Sequence, residues 1–187
     1  MPGKRVRPDG VAMAILKVAH LGHPILRRRA ASVPKDTLRS RDFQRFVDDL
    51  IETMREYAGV GLAAPQVHEG LQVFAVEAQK GEEGKPGVPL TVLVNPVVTP
   101  LGDAMGEDWE GCLSIPGLRG RVSRHREVRV EALDRRGERL DFTATDFFAR
   151  VIQHEYDHIQ GIVFLDRMKS LETLTYLEEY ARYWAEQ

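Results

Sequence analysis

The sequence predicts an α+β fold, in which mixed and antiparallel β-sheets surround a central HExxH-bearing helix, with an N-terminal amphipathic helix and a C-terminal helix. Three observations carry this prediction. Phe43, Phe46, Val47, Leu50, Ile51 and Met54 recur at helical spacing and form one apolar stripe. Residues 71–78, 90–94, 128–133 and 138–143 are short runs with strand character, and Asp134-Arg135-Arg136-Gly137 joins the last two as a β-hairpin. Residues 145–161 make a further helical stretch, built around Gln153-His154-Glu155-Tyr156-Asp157-His158.

With 187 residues, 43% of them hydrophobic and 29% charged, the chain suits one globular domain. Residues 13–187 are assigned to that single domain and residues 1–12 to a mobile N-terminal extension. Lys4, Arg5 and Arg7 lie in the extension, but no apolar segment resembling a signal peptide follows them. A formal net charge of -2 gives no global pull toward nucleic acid or membrane. No apolar run approaches the ~20 residues that span a bilayer. Cys112 is the single cysteine, so no intrachain disulfide can form. That points to a reducing, cytoplasmic compartment and makes Cys112 a candidate metal ligand or nucleophile.

Taken in order, residues 15–19 read as a short strand. His23-Pro24 is extended, because proline disfavours helical geometry in the residue before it. Arg27-Arg28-Arg29 reads as a solvated basic cluster. Ser40 is placed to cap the amphipathic helix and Gly59 to end it. Gly59-Val60-Gly61-Leu62-Ala63-Ala64-Pro65-Gln66 reads as a loop against which a ligand or another chain can lie closely. It lacks the Gly-Lys-[Ser/Thr] ending of a phosphate loop. Gln66 carries a neutral donor and acceptor and can polarise a carbonyl oxygen. Residues 81–89 read as an exposed loop, and the strand at 90–94 ends at Asn95-Pro96.

Glu110-Gly111-Cys112-Leu113-Ser114 holds the cysteine. A thiolate there can join two imidazoles as a third ligand, and the next residue can aim its N–H at an oxygen on the metal. Arg119, Arg121, Arg124 and Arg126 are solvated strand charges, unless one or two hold a substrate's carbonyls or orient Glu110. Thr145 is a fitting N-cap for the late helix, Asp146 suits its first turn, and Gly161 its C-terminus. Phe147, Val151, His154 and His158 share one face of it, beside Phe148, Ile152, Glu155 and Ile159. The metal edge is thus continuous with an apolar pocket. Residues 171–187 read as an amphipathic helix docked on its own domain through Leu171, Leu174, Leu177, Ala181 and Trp184.

The chemistry gathers on that late helix. His154 and His158, four residues apart, reach one metal ion, and Glu155 can approach water on it without being a ligand. Structural zinc sites are closed by four protein ligands, whereas catalytic ones keep a position open. No second cysteine is present, and His20, His23, His68 and His125 have no ligand spacing. The combination favours catalysis.

Three motifs together make the chain resemble peptide deformylase. The family's GxGLAAxQ, EGCLS and QHExDH segments stand here, in that order, at residues 59–66, 110–114 and 153–158. Only Ile159, where the family usually has leucine, departs. The similarity extends from about Met13, through Gly22-His23-Pro24-Ile25-Leu26, to Asp166-Arg167. The resemblance implies removal of the N-formyl group from the N-terminal formylmethionine of nascent polypeptides, releasing formate. It implies Cys112, His154 and His158 as ligands of one Fe2+ ion, which Ni2+, Co2+ or Zn2+ can replace. Glu155 would act as general base toward the metal-bound water and then as general acid. The Leu113 N–H and the Gln66 amide would hold the oxyanion, one such donor being typically worth ~3 kcal/mol.

By the same resemblance, Val60, Gly61 and Gly111 would pair with the substrate backbone. Phe147, Val151 and Val60 would line the methionine pocket, with Arg119 near the substrate. Arg150 takes a pocket-facing position that is often apolar in relatives. The implied partner is an N-formylmethionyl peptide. Transient ribosome contact occurs in relatives with basic C-terminal helices, and the acidic tail here gives it no electrostatic support. No membrane or direct nucleic-acid partner is expected. An HExxH metallopeptidase is the alternative enzyme, but it usually draws a third ligand from downstream, and no histidine follows His158. An inactive deformylase-like binding protein is the non-enzymatic alternative, opposed by the presence of Glu155, Gln66 and Cys112.

Overall fold

The structure, a computed structural model, describes residues 12–78 and 87–185. The assigned extension therefore lies outside the described residues but for Ala12. The helices are α1 (Lys35–Leu38), α2 (Arg41–Glu56), α3 (Asp146–Ile159) and α4 (Leu177–Tyr183). The strands are β1 (Gly61–Ala63), β2 (Val73–Ala78), β3 (Val88–Pro100), β4 (Met105–Cys112), β5 (Ile115–His125), β6 (Glu127–Leu133), β7 (Arg139–Thr145) and β8 (Thr175–Tyr176). They form a five-stranded sheet ordered β1-β2-β3-β6-β7 and a three-stranded sheet ordered β4-β5-β8. Every one of these pairings is antiparallel.

The five-stranded sheet is covered on both faces, which explains a strand such as β2 whose first four residues are all buried. Phe74 and Val76 join Leu93, Val128, Val130, Ala149, Ile152 and Ile159 on the α3 side. Val73 and Ala75 join Val47, Leu50, Met54, Val92 and Val94 on the α2 side. A smaller cluster of Ile115, Val122, Val163 and Phe164 packs with the three-stranded sheet. Helix α3 touches strands of both sheets, so it is held from both sides.

Local signals explain most elements. The Ser40 hydroxyl accepts the Phe43 N–H at 3.2 Å and opens α2. His23 is extended, as predicted, and opens a 3-10 turn over Pro24–Arg27. Gly161, at φ 78°, ends α3, and the Ile162 N–H returns to the Asp157 carbonyl at 2.9 Å. A Cβ at Gly161 would also lie 2.9 Å from the Arg27 carbonyl carbon, so glycine serves both turn and packing.

Several expectations are corrected. Residues 15–19 form no strand. They run as extended chain pinned at single points, with the Leu16 N–H on Thr53 Oγ1 at 2.9 Å and the Ala19 N–H on the Gln66 carbonyl at 2.7 Å. The left-handed residue that ends α2 is Ala58, at φ 51°, and Gly59 comes after it. The stretch 59–66 is an edge strand, β1, plus a 3-10 turn over Ala64–Val67, because β2 offers it a partner at Gly61↔Val76. Strand β3 does not stop at Asn95-Pro96. Asn95 takes φ 50° where the register slips between Val94 and Val97, a bulge that absorbs the proline. The Asn95 side chain also grips Val33, accepting its N–H at 2.7 Å. Of the loop read at 81–89, residues 81–86 lie outside the described residues, and Val88 and Pro89 already belong to β3.

Thr145 precedes α3 but makes no side-chain cap. The C-terminal segment is not one long helix. It is a 3-10 turn (Leu171–Thr173), then β8, then the seven residues of α4, none of them fully buried. The open edge of β5 draws Thr175 and Tyr176 into a ladder, at Arg119 and Leu118, and that interrupts the helix. No helix among the described residues is long and apolar enough to cross a membrane.

Candidate metal centre and substrate cleft

Cys112, the last residue of β4 before the turn into β5, reaches the histidine face of α3. Its Sγ lies 3.2 Å from His158 Nε2. Ligand atoms of Cys112, His154 and His158 all fall within 4.8 Å of one another. Metal–sulfur and metal–nitrogen bonds of about 2.0–2.3 Å would bring three such atoms to a common centre. The electrostatics pair a thiolate with a charged ring. Burial opposes ionisation of Cys112, yet His158 and His154 hold its thiol well below the ordinary range. Burial likewise opposes charge on His154, yet hydrogen bonds to Cys112 and Glu110 raise it well above the usual value. A thiolate flanked by two rings is a donor set that fits a divalent metal.

Glu110 fixes His154. Its Oε2 lies 2.9 Å from His154 Nδ1, which leaves Nε2 as the ring nitrogen that could meet a metal. The carboxylate also takes Arg124 Nε and Nη2, both at 2.9 Å, and Arg150 Nη1 at 2.7 Å. Burial alone would raise Glu110, but hydrogen bonds from His154 and Arg124 hold it far below the carboxylate range. Arg124 donates in addition to Asp157, and Arg167 Nη2 donates to Asp157 at 2.6 Å. One guanidinium thus ties β5 to β4 and to α3.

Of the four arginines weighed from the sequence, Arg124 is the one on Glu110. Arg119 lines the cleft instead, while Arg121 pairs with Glu107 at 3.2 Å and Arg126 with Asp146 at 3.8 Å. Asp157 and the buried role of Arg150 escaped the sequence reading. The signal for Arg124 was there in principle. It shares strand parity with buried Val122, where a charge demands partners.

Glu155 is buried on the α3 edge, and burial raises its carboxyl to about 7. Its Oε2 has no hydrogen-bond partner. Gln66 is equally buried. Its Oε1 accepts the Ala63 N–H at 2.8 Å, which commits Nε2 as a donor facing Cys112 Sγ at 3.5 Å and Ser114 Oγ at 3.3 Å. A Cβ at Gly61 would overlap the Glu155 carboxylate, falling 2.7 Å from its Cγ and Cδ. Gly61→Ala should therefore displace that carboxylate and lower turnover by roughly 10²-fold, the scale of a 1 Å misplacement, with metal content unchanged. Release of formate, the activity that the resemblance implies, and metal analysis on the same sample check it.

These groups share a cleft of about 790 Å³. Val60, Gly61, Gln66, Gly111, Leu113, Arg119, Phe147, Val151, His154 and Glu155 line it beside Cys112, and His158 stands behind them, 1% exposed. Each strand that brings Gly61 or Gly111 to the cleft is an edge of its sheet, β1 of one and β4 of the other. An extended peptide between them could bond to both. Arg150 also lines the cleft, with its guanidinium committed: Nη2 donates to the Gly106 carbonyl at 2.7 Å and Nη1 to that of Val122 at 2.9 Å.

Comparison with known proteins gives a consistent result. The family model described as polypeptide deformylase matches residues 15–174. Peptide deformylase 1 of Bordetella pertussis is 44% identical over 167 residues, covering 88% of this chain and 92% of that protein. Peptide deformylase 2 of Nostoc is 41% identical over 169 residues, covering 89% and 93%. Among solved structures, a class I type b peptide deformylase of Acinetobacter baumannii with Met-Ala-Ser bound superposes with a TM-score of 0.80. It is 37% identical and covers 83% of this chain and 99% of its own.

Proposed function

Since the chain belongs to the polypeptide deformylase family and is a hydrolase of that kind, we propose that it removes the formyl group from N-terminal formylmethionine of nascent polypeptides, releasing formate, with a catalytic metal held by Cys112, His154 and His158. The observation that carries this reading is the convergence of that thiolate and those two imidazoles, with ligand atoms within 4.8 Å, at a cleft between two strand edges. A bound divalent cation would supply Lewis acidity toward water and the formyl oxygen. We take it to be Fe2+, with Ni2+, Co2+ or Zn2+ as replacements, and the thiolate to require the reducing cytoplasm.

The protein's own groups do the rest. Glu155 accepts a proton from the water that attacks the formyl carbon and returns it to the departing amine nitrogen. A carboxyl near 7 suits both halves of that exchange. As the C–O bond forms and the C–N bond breaks, Gln66 Nε2 and the Leu113 N–H donate to the oxygen that gains charge. Val60, Gly61 and Gly111 bond to the peptide as an added strand, and Arg119 borders it. Phe147, Val151 and Val60 receive the methionine side chain. Residues 13–187 serve this one activity. The exposed Glu178 and the half-buried Glu179 of α4 give no support to a ribosome contact.

Formate release from formyl-Met-Ala-Ser by metal-loaded protein, prepared without oxygen, tests the reading. Turnover that tracks iron content is expected, and metal-loaded protein without turnover would refute it. Cys112→Ser should cost metal affinity at least the ~10–100-fold lost when a ligand's supporting partner is removed. Equal metal content and rate in that variant would contradict the ligand assignment.

A further inference from the structure

The end of the chain lies across the sheet that carries Cys112. Thr173 Oγ1 accepts the Arg121 N–H at 3.2 Å, and Thr175 and Tyr176 pair with Arg119 and Leu118. Tyr180 then meets Trp109 edge-on, ring centroids 5.0 Å apart, and the Arg119 guanidinium carbon lies 4.9 Å from the Tyr180 centroid. Trp184 also meets Trp109, tilted, with ring centroids 5.6 Å apart. These contacts fasten residues 171–184 as a strap and bring Leu177 to the cleft wall beside Trp109, Leu118 and Arg119.

Leu177 nevertheless remains 46% exposed. An aliphatic side chain anchored there and left half in water gains when an apolar group covers it. Trp109 and Gly111 are two apart on β4 and so face the same side, about 7 Å along the strand. A peptide paired at Gly111 and continuing along β4 reaches Trp109 and Leu177 about two residues later. Resting on the deformylase reading, we propose that the strap is a specificity wall: Leu177 and Trp109 contact the second or third residue of the bound peptide and favour a large apolar side chain there.

Binding of unformylated peptides needs no turnover and tests the wall directly. Met-Ala-Ser, Met-Phe-Ser and Met-Ala-Phe are titrated calorimetrically into metal-loaded protein. The parent should bind at least one phenylalanine peptide about tenfold more tightly than Met-Ala-Ser. Leu177→Asp should bring that ratio to within about twofold, and Leu177→Ala to an intermediate value. A parent without preference, a parent that binds none of the three, or a Leu177→Asp variant that keeps the parental ratio would each overturn the proposal. Formate release from formyl-Met-Ala-Ser, run in parallel, reports on the hydrolase reading alone. Peptide preference without formate would leave the wall standing and remove the reaction.

Discussion

Glu155→Gln should lower formate release about 10³-fold while leaving the metal in place, within the 10²–10⁴ range that a positioned proton-transfer group supplies. Glutamine keeps the shape that fits beside Gly61 and takes away only the proton acceptor. Metal content equal to the parent's, together with a lost rate, is the expected pair of results. A rate within tenfold of the parent's would remove Glu155 from the role of base.

The same variant makes a thermodynamic prediction with the opposite sign. Burial raises the Glu155 carboxyl from the ordinary 4.5 to about 7. Between those values the folded chain binds more protons than the unfolded one, so its stability falls as pH rises and the penalty is complete above pH 7. At pH 8 the metal-free Glu155→Gln protein should therefore be more stable than the metal-free parent, by roughly 3 kcal/mol. The difference should vanish toward pH 4.5. Urea unfolding at pH 5 and pH 8 measures both ends.

Arg124→Met should destabilise the protein by about 3–5 kcal/mol, the usual result of removing one partner from a buried ion network. For a chain of 187 residues that corresponds to a loss in Tm of about 10 °C. Methionine fills much of the volume, so the loss would report charge rather than a cavity. Glu110 and Asp157 would each lose a partner at 4% side-chain exposure. The pH dependence follows from Glu110, which is held far below the carboxylate range although burial opposes it. Its stabilising contribution is fully present above pH 4.5 and is lost as pH falls toward its depressed folded value. The gap between parent and Arg124→Met should accordingly narrow in acid. Calorimetric Tm values from pH 8 down to pH 3 check it, and a gap independent of pH would mean that Glu110 is not the partner that matters. Because Glu110 also holds His154, the variant should weaken metal binding as well.

Much of the candidate site was legible in the sequence. Histidines four apart on a helix need no tertiary information to share a face, and α3 has that geometry. Amphipathic helix α2 and the β6–β7 hairpin were equally readable, because their periods and turn residues are local properties. The wall of the cleft was less so. Glu110 reads as a motif letter until Arg124, Arg150 and His154 are seen to converge on it from two other elements.

By itself, then, the sequence determined the shared face of His154 and His158, the class of fold and the two long helices, since these rest on period and spacing along the chain. The approach of Cys112 to that face, by contrast, is a tertiary fact. Only the tertiary structure decided that residues 61–63 become a strand, that β3 runs through Asn95-Pro96, and that the C-terminal segment breaks into β8 and a short α4. The physical reason is common to all three. A strand edge or a buried carboxylate is completed by partners tens of residues away, and whether those partners arrive depends on the packing of the whole chain.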